Sequence, residues 1–150
     1  MDFDFNRLYL TTDGRIGRQQ FWIGLIVLII VGVVVALIIG ALSGGWMSRS
    51  GQIATFIIQL IFAYPSYCLM GKRFQDRDKP ATYAAIVIGI NLLIALLTIF
   101  GLTGDPMSPN ALAMIFGLVS LAIGIWIIVE LGILRGTVGP NQYGPDPVAG

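Results

Sequence analysis

"FWIGLIVLIIVGVVVALIIGAL", Phe21–Leu42, runs for 22 residues without one charged or strongly polar side chain. A helix needs about 20 consecutive apolar residues to cross about 30 Å of hydrocarbon, so this stretch reads as a membrane span. The apolar segment of a secretory leader is shorter, about 7–15 residues, so an uncleaved first helix is expected although "ALSGG" is a passable cleavage site.

Working outward, three more stretches have the same character. The four spans are expected at about 21–42, 53–71, 83–102 and 110–134. The second carries Gln59 and Pro65, the third Asn91 and the fourth Glu130. An N-terminal segment 1–20, a loop 72–81 and a tail 135–150 remain outside them. The composition agrees: 56% of residues are hydrophobic and 11% charged, against about 45–50% and about 25% in soluble domains. No segment alternates with period two, which argues against a barrel. The expected fold is all-α, a single-domain integral membrane four-helix bundle.

The punctuation between spans fits helices. "DPMSPNAL" offers Ser108 as the cap and Pro109 as the first residue of the fourth helix, and Pro80 is expected in the same role before the third. "SGGWMSRSGQ" is a short Gly/Ser turn.

Orientation follows from the basic residues. Arg7, Arg15, Arg18, Lys72, Arg73, Arg77, Lys79 and Arg135 fall on one side, and Arg49 alone on the other. The positive-inside rule then puts both termini in the cytoplasm. Trp22, Tyr67, Tyr83 and Trp126 lie near the same ends, as an interfacial aromatic belt does.

Helices in lipid associate through close packing and hydrogen bonds. Gly32, Ala36 and Gly40 form a small-residue seam at four-residue spacing, echoed by Ala85 and Gly89 and by Gly117, Ser120 and Gly124. Pro65 should kink or loosen the second helix. Gln59 and Asn91 are expected to point into the bundle, since facing lipid is costly.

"MGKRFQDRDKP", Met70–Pro80, holds six of the 17 charged residues. If the second helix continues past Gly71, Lys72 and Arg73 share a face with Asp76, so the run neutralises itself. Arg15 and Arg18 sit where guanidinium groups reach phosphate headgroups. "FDFNRLYL" places Phe3, Phe5, Leu8 and Tyr9 for a short helix on the membrane surface. Glu130 lies about 6 Å, one turn, inside the fourth span, and a salt bridge to an Arg is its expected role. These groups are expected to form one polar network of Arg15, Arg18, Arg73, Asp76, Glu130, Asn141 and Tyr143. Arg73 is its hub, Asp76 holds Arg73, Glu130 is the partner of Arg73, and Asn141 and Tyr143 close over the mouth.

"GRIGRQQFW", "MGKRFQDRDKP" preceded by Pro65, and "GPNQYGPDP" together resemble the bacterial inner-membrane family called domain of unknown function 805, over about Gly14 to Pro147. Arg15, Arg18, Phe21 and Trp22 match its first motif, Pro65, Arg73 and Asp76 its second, and Asn141, Tyr143, Gly144, Asp146 and Pro147 its third. The resemblance implies four helices and an ordered tail, where composition alone implies loose turns. Gln75 stands where the family pattern has His, and "RDKPATYA" replaces its S-G-W. The resemblance supplies no reaction.

Single Cys68 excludes an intramolecular disulfide, and the absence of His removes the commonest general base and metal ligand. No catalytic, cofactor-binding or metal residue is assigned, no cofactor is expected, and nucleic acid is not an expected partner. The leading expectation is a non-enzymatic scaffold or interaction protein of the bacterial inner membrane, whose cytoplasmic rim contacts anionic lipid or a protein partner. Homo-oligomerisation stays open. The alternative is a small transporter or channel component; a lipid-modifying enzyme has the least support.

Overall fold

Four helices long and apolar enough to cross a membrane organise the chain in the computed structural model, which describes residues 4–148. In order these are α1 (Phe5–Tyr9), α2 (Arg18–Leu42), α3 (Arg49–Asp76), α4 (Thr82–Ile99), the strands β1 (Gly104–Asp105) and β2 (Ser108–Pro109), and α5 (Ala111–Ile127). A π-helical turn, Ile128–Ile133, continues α5.

The caps explain where the helices begin and end. Ser48 accepts a hydrogen bond from the Gly51 amide at 3.0 Å, which starts α3 at Arg49. The helix then runs unbroken through Pro65 to Asp76, so Lys72, Arg73 and Asp76 are helical and only residues from Arg77 onward form a loop. That loop turns at Asp78, whose φ of 58° is left-handed. Ser108 and Pro109 do not cap and open the fourth crossing as expected. They form β2, pairing with β1 through Gly104–Pro109 and Asp105–Ser108. Asn110 is the cap, accepting from the Ala113 amide at 3.1 Å while donating to the Leu102 carbonyl at 2.8 Å. Pro80 likewise stands two residues ahead of α4, with Ala81 at the cap.

The helices are packed unevenly. α3 lies closely against α4 and α2, whereas α5 touches α4 lightly and meets α2 and α3 through its π turn. Nothing in α5 is buried. The buried apolar cluster of Leu8, Tyr9, Ile16, Phe21, Leu69, Phe74, Ala84 and Leu131 gathers at the charged end. There α1 docks on the helices: the Tyr9 hydroxyl donates to the Gly24 carbonyl at 2.9 Å. α1 is therefore half embedded, with Phe5 outward and Leu8 and Tyr9 inward; Phe3 lies outside the described residues. Tyr83 and Trp126 join Phe74 in a three-ring cluster, each centroid 5.6 Å from that of Phe74, which ties α3, α4 and α5 together.

Close approach between the crossings uses different glycines from the expected seam. A methyl group at Gly24 would stand 2.6 Å from Leu69 Cδ1, and one at Gly132 2.6 Å from the Trp22 ring. Of the Gly32–Ala36–Gly40 seam, Gly32 faces Phe62 of α3 loosely, while Gly40 is covered by the Trp46 indole. Trp46 Nε1 donates to the Ala36 carbonyl at 3.1 Å. The seam thus seats a turn residue at one end and a helix only at the other. Gly89, Gly117 and Gly124 have no atom of the described chain within 4 Å of such a methyl.

The contrast is measurable. Gly40→Ala drives a methyl into the rigid Trp46 ring and should cost about 1–3 kcal/mol of stability. Gly89→Ala, in open space, should be neutral or gain up to about 1 kcal/mol from helix propensity. Unfolding temperatures in detergent separate the two; equal values would remove the indole from its seat on α2.

Candidate functional site

At the charged end, Asp76 is 2% exposed and sits between two guanidinium groups that are themselves buried, Arg15 at 3% and Arg73 at 0%. A carboxylate taken out of water needs opposite charge and filled hydrogen bonds. Arg15 Nε and Nη2 reach Asp76 Oδ1 at 3.1 and 3.0 Å. Arg73 Nη1 pairs with the other oxygen, Oδ2. Both oxygens are thereby occupied by charge-assisted bonds.

Each arginine uses its remaining donors on backbone. Arg15 Nη1 donates to the carbonyls of Gly139 (2.7 Å) and Gly144 (3.2 Å), and Nη2 to that of Thr137 (2.6 Å). One side chain from before the first span therefore holds the tail. Thr137 completes the attachment: its amide and hydroxyl both donate to the Asp76 carbonyl, at 2.8 and 3.0 Å. Asn141 Nδ2 donates to the Gln75 carbonyl (2.9 Å) and to Thr137 Oγ1 (2.8 Å). Gly136 packs against the Asp76 carboxylate so closely that a Cβ there would overlap it. The left-handed φ values of Gly139 and Gly144, 78° and 135°, let the tail turn back over the node. Asp146 closes this turn, accepting from the amides of Gly139 (3.0 Å) and Val148 (2.9 Å). Those two bonds favour the anion and hold its pKa below the ordinary aspartate value.

Arg73 points the other way, into the π turn. Its Nε donates to the Leu131 carbonyl at 2.7 Å and its Nη2 to that of Leu134 at 2.5 Å. Trp22 Nε1 takes the Gly132 carbonyl (3.2 Å), Arg18 Nη1 that of Ile133 (3.0 Å), and Arg77 Nη1 that of Arg135 (2.6 Å). Consecutive carbonyls from Leu131 to Arg135 are thus each taken by a side chain of α2, of α3 or of the residue just after α3. A helix end leaves its last carbonyls unpaired, and cations there are favoured by the helix dipole.

Glu130 belongs to a separate pair of contacts. Its Oε1 accepts from Arg77 Nε (3.0 Å) and Lys79 Nζ (2.6 Å), which corrects the expected Arg73–Glu130 partnership. The reason is geometric. Asp76, three residues along the same helix, and the π-turn carbonyls use the Arg73 donors, so Glu130 is left to residues beyond the helix end. Lys72 is also differently used: its ammonium bonds the Arg7 carbonyl and the Thr11 carbonyl (2.8 Å), anchoring α1. Of the remaining expected members, Arg18 stays exposed. Tyr143 joins only through its backbone amide, which donates to Asn141 Oδ1 at 2.9 Å. Turned with its amide nitrogen toward them, Gln75 donates to the carbonyls of Gly14 (2.7 Å) and Thr12 (3.2 Å), another tie between α3 and the N-terminal segment.

Sequence reasoning missed Thr137, Gly132 and Gly136, and it assigned Lys72, Arg77 and Lys79 no partner across the chain. For the first, "RGTVGP" carries a usable signal, a hydroxyl between glycines directly after a span. Gln59 and Asn91 line one cleft between α3 and α4, of about 340 Å³. Asn91 is exposed there and donates to the Val87 carbonyl of its own helix at 2.9 Å, so it does not point into a sealed bundle. Among the described residues no group of three or more His, Cys, Asp or Glu is placed to hold a metal ion.

Four apolar helices fastened at one end by a buried ionic node define a small multi-helix membrane protein. The chain belongs to the family described as "Protein of unknown function (DUF805)", which matches residues 9–145 and so takes in the node and the tail as far as Pro145. Among curated proteins it is similar to "Inner membrane protein YhaH" of Escherichia coli strain K12, 26% identical over 140 residues, covering 93% of this chain and 88% of that protein. The same figures hold for the protein of that name in Escherichia coli O157:H7. No solved structure matches.

Two substitutions separate the two ionic groups. Asp76→Asn leaves buried Arg15 and Arg73 without their anion and should cost about 3–5 kcal/mol. Glu130→Gln removes the charge of a buried group but keeps an acceptor for partly exposed Arg77 and Lys79, and should cost less, about 1–2 kcal/mol. Chemical unfolding in detergent gives both values, and limited proteolysis should cut the tail readily in Asp76→Asn alone. An intact tail in that variant would detach the tail from the node.

Proposed function

We propose that this protein is a non-enzymatic scaffold of the bacterial inner membrane, with both termini and the charged rim on the cytoplasmic side. The rim presents a fixed surface to anionic lipid or to a protein partner. One observation carries the reading: the buried charges are all used within the chain, Arg15, Lys72 and Arg73 on its carboxylate and carbonyl oxygens and Asp76 and Glu130 on its own arginines and Lys79. Groups locked in this way are poor acids, bases or nucleophiles, but they hold a surface rigid. The rigid surface carries outward side chains of both signs, among them Arg18, Asp78 and Arg135. The basic residues supply the orientation, since only Arg49 lies at the opposite end.

A second reading, a transporter or channel component, draws on the Gln59–Asn91 cleft at span depth. Glu130 is not among its lining residues, so the polar groups of the spans do not line one common space.

Reporter fusions after Gly104 should be active outside the cytoplasm, and fusions after Asp78 within it. A photo-reactive residue at exposed Gln142 or Asp78 should give discrete adducts with one lipid class or one protein. Reconstituted vesicles should conduct ions no faster than empty ones. Ion flux with no discrete rim adduct would replace the scaffold with the transporter.

A further inference from the structure

Beside the node, the rim opens into a cleft of about 300 Å³. Arg73 and Asp76 border it, Arg18 and Arg135 line it, and the tail residues Asp146 and Val148 complete the wall. We propose that this cleft binds the phosphate of a phosphodiester monoanion, supplied by the headgroup of an anionic membrane lipid. The inference rests on the rim being an interaction surface and names the ligand of that surface.

Three observations carry it. First, the two outer arginines have donors to give. Among the described residues Arg18 uses only Nη1, on the Ile133 carbonyl at 3.0 Å. The Arg135 side chain makes no hydrogen bond among the described residues, while its backbone is fixed because its carbonyl accepts from Arg77 at 2.6 Å. Two guanidinium forks that border one cleft match a tetrahedral oxyanion with two or more non-bridging oxygens.

Second, the charge in the cleft selects the ligand. Asp76 is already neutralised by Arg15 and Arg73. The Asp146 oxygens are held by the Gly139 and Val148 amides, which keep that carboxylate ionised at the cleft wall. Arg15 behind the wall and the three lining arginines outweigh the two aspartates, so the cleft attracts an anion. Ionised Asp146 at the wall repels a second negative charge, which suits a singly charged diester over a doubly charged monoester.

Third, the height is right for a headgroup. Arg18 is the first residue of α2, three positions before the apolar run begins at Phe21, and Arg135 lies two residues beyond the π turn that ends the last crossing. Both therefore stand at the end of a span, where a phosphate lies and an arginine at greater depth could not remain solvated.

The test uses the full chain purified in a neutral detergent, with retained lipid counted by native mass spectrometry and the unfolding temperature followed on titration. The probes are phosphatidylglycerol, phosphatidylcholine, glycerol phosphate and inorganic phosphate. Phosphatidylglycerol should bind in a single preferred copy at least tenfold more tightly than phosphatidylcholine and raise the unfolding temperature. Arg135→Gln, which breaks no internal hydrogen bond, should lose that tenfold preference with the lipid-free unfolding temperature unchanged. Arg49→Gln, the same charge change at the opposite end, should keep it. Asp146→Asn should strengthen inorganic phosphate binding several-fold. Equal binding of the two lipids, or an Arg135→Gln protein that still prefers phosphatidylglycerol, overturns the proposal. Tighter binding of inorganic phosphate or glycerol phosphate than of phosphatidylglycerol overturns the lipid source and the diester assignment. Adducts at Gln142 that survive such a failure would leave the scaffold reading standing and remove only the ligand.

Discussion

A carboxylate that is almost fully buried must be neutralised where it lies, and Asp76 is neutralised twice, by Arg15 and by Arg73. The second arginine does more than balance charge. With one anion between two cations the node keeps an excess positive charge, and that excess is satisfied by oriented carbonyls. Arg15 draws those of Thr137, Gly139 and Gly144, and Arg73 those of Leu131 and Leu134. The N-terminal segment, the end of α3, the end of the last crossing and the tail are thus all positioned by one ion triad. Gly136 is part of the same constraint, because only a residue without a side chain lets the backbone pass the Asp76 carboxylate.

The π turn is the complementary half of this arrangement. Its i→i+5 bond, Leu134 N to Val129 O at 3.0 Å, widens the helix and leaves neighbouring carbonyls available to side chains. At the edge of a membrane such groups have little water to turn to, and unpaired they would each be costly. Arg18, Trp22, Arg73 and Arg77 supply the donors. This is why a chain so poor in charge concentrates it around residues 70–80. The arginines cap a helix that ends some 60 residues away in sequence.

What could be read from the sequence divides along physical lines. The spans were legible, because length and lack of charge are local properties: α2 begins three residues before its apolar run and ends with it at Leu42. Membership of the node was legible for Arg15, Arg73, Asp76 and Asn141, since their motifs stand out against an apolar background. Pairing was not. Arg73 and Glu130 share a membrane level, but which anion an arginine meets depends on rotation about each helix and on where α3 stops, and Ser48 and Asp78 fix those ends rather than the apolar pattern. Small-residue spacing misled for a related reason. In lipid a glycine can lie on any face, so regular spacing at Gly32, Ala36 and Gly40 does not specify a neighbouring helix: Gly40 seats the Trp46 indole of a turn, while isolated Gly24, Gly132 and Gly136 let other parts of the chain approach. Asn110 took the cap from Ser108 because the β1–β2 turn had already used that residue.

The distribution of packing carries the last step. In a soluble bundle the apolar core runs the length of the helices and polar groups decorate its ends. Here the buried cluster lies at the charged end, beside the ions, and α5 buries nothing along its crossing. Lipid tails are as apolar as the side chains they meet, so the spans gain little from excluding lipid, and hydrogen bonding and close packing at the end must set the helix positions. Fastened there, and joined to α4 by the β1–β2 turn at the opposite end, α5 can lie lightly against α4 without burying a residue, and the Gln59–Asn91 cleft between α3 and α4 can stay open. The rim is therefore the part of the molecule with one defined shape. Under the proposed scaffold role that shape is what lipid or a partner reads, and the spans need only hold it at the level of the headgroups.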